Sequence, residues 1–102
     1  LQTFSGDGLD EGRIRAIEAV TNLPLVIHGG PGVPEAQRTV LARTSSICKY
    51  NIGTELRMAF GAALRDAVGA DPDRFDRVQI LKETHEPVVA ATRRVLAALK
   101  PA

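Results

Sequence analysis

Two short stretches hold the residue types that could do chemistry: His28-Gly29-Gly30-Pro31-Gly32 and, further along, Asn51-Ile52-Gly53-Thr54. An imidazole can ligate a metal, act as a general base, or serve as a hydrogen-bonded structural group. Glycines let the backbone approach a ligand closely and turn N–H groups toward an anion. A Gly-Thr pair opening a helix offers unpaired amide donors and the positive end of the helix dipole, which suits a phosphate. The same pair is also an ordinary helix cap. Taken one at a time, both stretches leave these alternatives open.

The elements around them follow from apolar spacing. Asp10 is placed to cap a helix in which Ile14, Ile17 and Val20 recur three apart. Leu25 to His28 reads as a short strand with no polar alternation, the pattern of a strand covered on both faces, as in parallel sheets. Pro34 stands where the first turn of a helix tolerates it, and Ala36, Val40 and Leu41 form that helix's apolar face. Ser46 to Ile52 is a second strand. Thr54 then caps a strong helix carrying Leu56, Phe60, Ala63, Leu64 and Val68, with Met58 and Phe60 read as core residues. Gly69 and Ala-Asp-Pro-Asp stop it. Arg74 to Leu99 is helical by composition, and Pro87 either breaks that segment or starts a second helix after Glu86.

The order is a βαβ core with a leading helix and a helical tail, an α/β protein with a parallel sheet. Two strands with apolar faces on both sides need more cover than these helices provide. The chain therefore reads as a slice of a larger α/β protein. Period-two alternation points Lys49 and Asn51 one way and Cys48 and Tyr50 the other, under the outer helices. Lys49 then either balances charge near a substrate or extends into solvent. His85 lies in the helical tail without ligand-like neighbours and reads as a surface or cap residue.

Bulk properties remove several classes. The 102 residues suffice for one small domain, with 44% hydrophobic residues, 25% charged and a net charge of +1. The thirteen Lys and Arg are scattered, so neither nucleic acid nor an anionic membrane is an expected partner. No apolar run approaches the ~20 residues of a membrane span. Cys48 is the single cysteine, which excludes an internal disulfide and fits a reducing, cytoplasmic compartment. The chain starts at Leu1 rather than Met, which reads as a truncated start.

His-Gly-Gly-Pro-Gly alone is similar to the oxyanion-hole loop of some α/β-hydrolases. That reading needs a G-x-S-x-G nucleophile elbow, and the sequence has none. Both loops together carry a different resemblance. The segment LPLVIHGGPGVP, a helix, then CKYNIGTELRMAF, resembles the C-terminal part of class II ketose-bisphosphate aldolases, the fructose- and tagatose-bisphosphate enzymes. In that family a strand ending His-Gly-Gly-Ser-Gly-Val-Pro precedes Lys-Val-Asn-Ile-(Gly/Asp/Ala)-Thr-Glu-Leu. The later DPDRFD is similar to the family's Asn-Pro-Asp-Glu-Phe-Asp. The resemblance runs from Leu9 to the C-terminus.

The resemblance implies a (β/α)₈ TIM barrel, with residues 1–102 as the C-terminal part of that single domain, supplying its last two strands, flanking helices and a helical tail. It matches His28 to the last of three histidines holding a divalent metal, usually Zn2+. Gly29 and Gly30 match backbone groups near the phosphate of dihydroxyacetone phosphate, with Gly29 also beside a monovalent cation. Asn51, Ile52, Gly53 and Thr54 match the loop holding the same substrate. The implied reaction is reversible aldol cleavage of a ketose bisphosphate to dihydroxyacetone phosphate and glyceraldehyde 3-phosphate, the metal stabilising the ene-diolate. A full-length member is expected to be a homo-oligomer, dimer or tetramer.

The family's catalytic aspartate and two other metal histidines lie outside this sequence. The isolated chain is therefore expected neither to hold zinc tightly nor to cleave a sugar bisphosphate. Pro31 stands where the family has serine, which removes a hydroxyl and an N–H from the phosphate loop. Gly53 leans toward the tagatose branch, and Arg77 comes one position early against Phe-Asp-Pro-Arg. The competing reading is a shortened, non-catalytic relative that binds a phosphorylated metabolite or serves as an interaction module.

Overall fold

A computed structural model describes residues 8–100. Helix α1 spans Glu11–Glu18, and the Asp10 carboxylate accepts the Arg13 N–H at 3.0 Å, as its N-cap position suggests. Strand β1 is Leu25–Ile27, so His28 stands just past the strand rather than within it. Gly30–Gly32 makes a single 3₁₀ turn. Helix α2 is Glu35–Thr44, with Pro34 immediately before it, and β2 is Ile47–Tyr50. The two strands pair in parallel as a two-stranded sheet.

Ile14 of α1, Leu41 of α2 and Ile47 of β2 form the buried core on one face of that sheet, with Leu9, Leu25, Ile27 and Tyr50 packed around them. Leu41 is fully enclosed, at 0% exposure. The neighbouring expectation for α2 needs correction, because Ala36 and Val40 are exposed and Arg38 is buried in their place. Gln37 shows why: its side-chain amide clamps the chain before α1, accepting from Leu9 N–H at 2.8 Å and donating to Leu9 C=O at 2.9 Å. That clamp turns the Gln37–Arg38–Leu41 stripe inward.

Two expectations about the strands also change. β1 is not covered on both faces, since Val26, on the face opposite Leu25 and Ile27, is 43% exposed. Cys48 does not pack beneath a helix but is exposed. The pairing runs Leu25↔Ile47, then Val26↔Lys49 and Ile27↔Tyr50, an irregular step that places Cys48 opposite no residue of β1. The extra residue breaks simple alternation, so Ile47 and Tyr50 both reach the core.

The chain divides into two compact units, one ending at Gly53 and taking in residues from Leu96 onward, the other Thr54–Val95. The second contains α3, Thr54–Ala70, α4, Arg77–Lys82, and most of α5, His85–Leu99. Its buried side chains are small: Ala63 and Ala67 on α3, Thr84 between α4 and α5, and Ala91 and Val95 on α5. Met58 is 56% exposed and Phe60 is also exposed, so neither is a core residue; the covered stripe of α3 follows its alanines four apart. Asp76 caps α4, accepting from Val78 N–H at 2.9 Å. Pro87 lies in the first turn of α5, where a missing N–H costs nothing. Among the described residues no helix is long and apolar enough to cross a membrane.

Candidate functional site

Because β1 and β2 run parallel, their C-terminal ends open on the same edge of the sheet. Ile27 and Tyr50 are register partners, so the next residues, His28 and Asn51, emerge side by side. Asn51 N–H donates to Ile27 C=O at 2.9 Å, and Gly30 N–H donates to Asn51 C=O at 3.2 Å. The Asn51 side-chain Nδ2 donates to His28 Nδ1 at 3.0 Å. One residue thus grips the first loop on both sides of its imidazole.

The two glycines after His28 answer different demands. Gly29 has φ +69°, the left-handed region that disfavours side chains. Gly30 is needed for closeness: a Cβ there would sit 2.7 Å from Ile52 Cγ1 and 3.1 Å from Asn51 O. The 3₁₀ turn then closes with Gly32 N–H on Gly29 C=O at 2.9 Å and Val33 N–H on Gly30 C=O at 3.0 Å. Val33 is buried and anchors the turn.

Of the sequence-derived candidates, His28, Gly29, Gly30, Asn51, Ile52 and Gly53 fall in the same compact unit, and hydrogen bonds or close approach join His28 and Gly30 to Asn51 and Ile52. Thr54 follows as the first residue of α3, its hydroxyl accepting from the Arg57 guanidinium at 3.2 Å. The amides of Gly30, Gly32 and Asn51 are committed within the chain. Those of Gly29, Ile52 and Gly53 have no backbone acceptor among the described residues. These are the donors from which an anion at this edge would draw.

Lys49 is exposed beside Val26 on the bare face of the sheet. On the covered face, burial pushes the Tyr50 phenol above its ordinary range, opposed by the positive charge of Arg38. The His28–Asn51 bond was not anticipated from spacing. Its signal was present, however, in two parallel strands each ending one residue before a polar side chain.

The chemistry of the donor set tests the implied metal. Among the described residues no group of three His, Cys, Asp or Glu side chains could hold a metal ion. His85 is the exposed first residue of α5, in the other unit. One imidazole leaves a tetrahedral zinc site short of protein ligands, so the described residues do not by themselves supply a full zinc ligand set.

A family model described as fructose-bisphosphate aldolase class-II matches residues 2–102. The chain is similar to the fructose-bisphosphate aldolase of Mycoplasma pneumoniae, 41% identical over 88 residues, covering 80% of this chain and 30% of that protein. It is 36% identical over 88 residues to that of Mycoplasma genitalium, with the same two shares. Against the Geobacillus stearothermophilus fructose-bisphosphate aldolase it is 36% identical over 76 residues, covering 72% of this chain and 25% of the relative. The chain therefore spans no more than 30% of the length of these curated relatives.

Proposed function

The chain belongs to the class-II fructose-bisphosphate aldolase family, and from that premise we propose that it is the C-terminal part of an aldolase barrel, residues 1–102 contributing two adjacent strands and their site loops. The reaction is reversible aldol cleavage of a fructose or tagatose bisphosphate, in a cytoplasmic homo-oligomer. The observation that carries this reading is the junction of the two motif loops through Asn51, whose backbone and side chain bond to Ile27 at the end of β1 and to Gly30 and His28 of the loop that follows. Support also comes from the sheet, whose bare face bears Val26 and Lys49, as expected of a part that other strands would complete.

In this reading His28 supplies one donor to a divalent metal whose remaining ligands lie outside the chain. Gly29, Gly30, Asn51, Ile52, Gly53 and Thr54 hold the substrate phosphate. The uncommitted amides of Gly29, Ile52 and Gly53 orient it. Gly30 contributes through closeness, its own N–H being bonded to Asn51.

The test is a chimera in which this chain replaces the matching segment of the Mycoplasma pneumoniae relative. The chimera is expected to cleave fructose or tagatose bisphosphate and to lose that activity on His28→Ala. The isolated chain is expected to show no cleavage. A folded chimera that neither cleaves these substrates nor binds dihydroxyacetone phosphate would overturn the reading.

A further inference from the structure

The His28–Asn51 contact has a chemical asymmetry. The Nδ2 of an amide only donates, so the facing Nδ1 of His28 must accept, and the neutral ring carries its proton on Nε2. Turning the amide by half a rotation would present Oδ1, which only accepts. Nδ1 would then carry the proton, and the Nε2 lone pair would be free. Asparagine can serve both states, aspartate only the second, and an apolar side chain neither. Among the described residues no other hydrogen bond reaches this ring, which is otherwise exposed.

The backbone is arranged so that the amide alone makes this choice. Asn51 N–H and C=O are fixed by Ile27 and Gly30, the residues just before His28 and two after it. Side-chain rotation of Asn51 therefore reorients the ring's partner without moving the loop. We propose that Asn51 is a positioning residue for His28, and that the orientation of its amide decides whether Nε2 offers a ligand a proton or a lone pair. A neutral hydrogen bond of ordinary net strength biases the two tautomers by about five- to tenfold. The inference stands on geometry inside this chain, so it can fail while the proposed aldolase role survives, and the reverse.

The experiment is imidazole 15N NMR on the full chain at alkaline pH, where a histidine ring is uncharged. The wild-type ring is expected to favour the Nε2–H tautomer about five- to tenfold over the ratio in the urea-denatured chain. Asn51→Ala should return the ratio to the denatured value, and Asn51→Asp should reverse it toward Nδ1–H. Both backbone bonds of Asn51 survive these substitutions. If Asn51→Ala does not fold by circular dichroism, Asn51→Leu keeps the bulk and removes the amide. A wild-type ratio equal to the denatured one, or a ratio unmoved by loss of the amide, overturns the proposal.

Discussion

Gly29 and Gly30 are neighbours in sequence, yet a methyl group on each would fail for a different reason. At Gly29 the added Cβ meets nothing within 4 Å, and the cost is that of forcing φ +69° on an L-residue, roughly 1–2 kcal/mol. At Gly30 the backbone is ordinary and the cost is collision with Ile52 Cγ1, of the size of overpacking a core, about 1–3 kcal/mol. Gly30→Ala should therefore be substantially relieved by Ile52→Ala in the same chain, since that removes the nearest atom. Gly29→Ala should gain nothing from the same second change. Urea melts of the four variants decide the matter: additive penalties for the Gly30 pair would show that its constraint lies elsewhere. The glycine run was plain in the sequence. Which glycine answered to backbone conformation and which to contact depended on Ile52, a residue that only the parallel pairing brings near.

At the scale of elements, Glu18 fastens the end of α1 to the start of β2. Ser46 N–H and the Ser46 hydroxyl donate to one carboxylate oxygen at 2.7 and 2.9 Å, and Arg15 donates to the other at 2.8 Å. These bonds, the Ser46 backbone N–H foremost, hold the Glu18 carboxyl below the ordinary carboxylate range. A depressed folded-state pKa contributes stability that is present above the unfolded value, about 4.3, and is lost as pH falls through the folded one. Glu18→Gln should thus be less stable than wild type near neutrality, with the two curves converging in acid. Parallel curves across that window, in thermal melts at stepped pH, would show that the carboxylate's charge is not what matters. Local signals of this class were readable in advance at Asp10, where a capping residue precedes periodic apolar positions. The division of the tail at Thr84 was not, because Pro87 permits either a break or a first turn. The displaced Cys48 was hidden as well. Alternation carries no mark of an extra residue, and exposure of the thiol follows from how β1 pairs with Lys49 and Tyr50.

At the scale of the whole molecule, the open sheet face separates what this chain is alone from what it becomes in a larger fold. Helices α1 and α2 supply the core on one face through Ile14 and Leu41, while Val26 on the other is left partly in water. An apolar strand residue facing solvent is an association hazard, and Lys49 beside it is the kind of charge that restrains such pairing. Val26→Lys should therefore be nearly silent in the isolated chain, within about 0.5 kcal/mol by urea titration, and should reduce self-association in sedimentation. In the chimera with the rest of a relative's barrel, the same lysine would be enclosed without a partner. A buried unpaired charge is far more costly than an exposed one, so the chimera should lose its cooperative melt and its aldol cleavage together. A chimera that tolerates the lysine as well as the isolated chain does would mean that no further strands cover this face, and that the two strands are not part of a closed barrel.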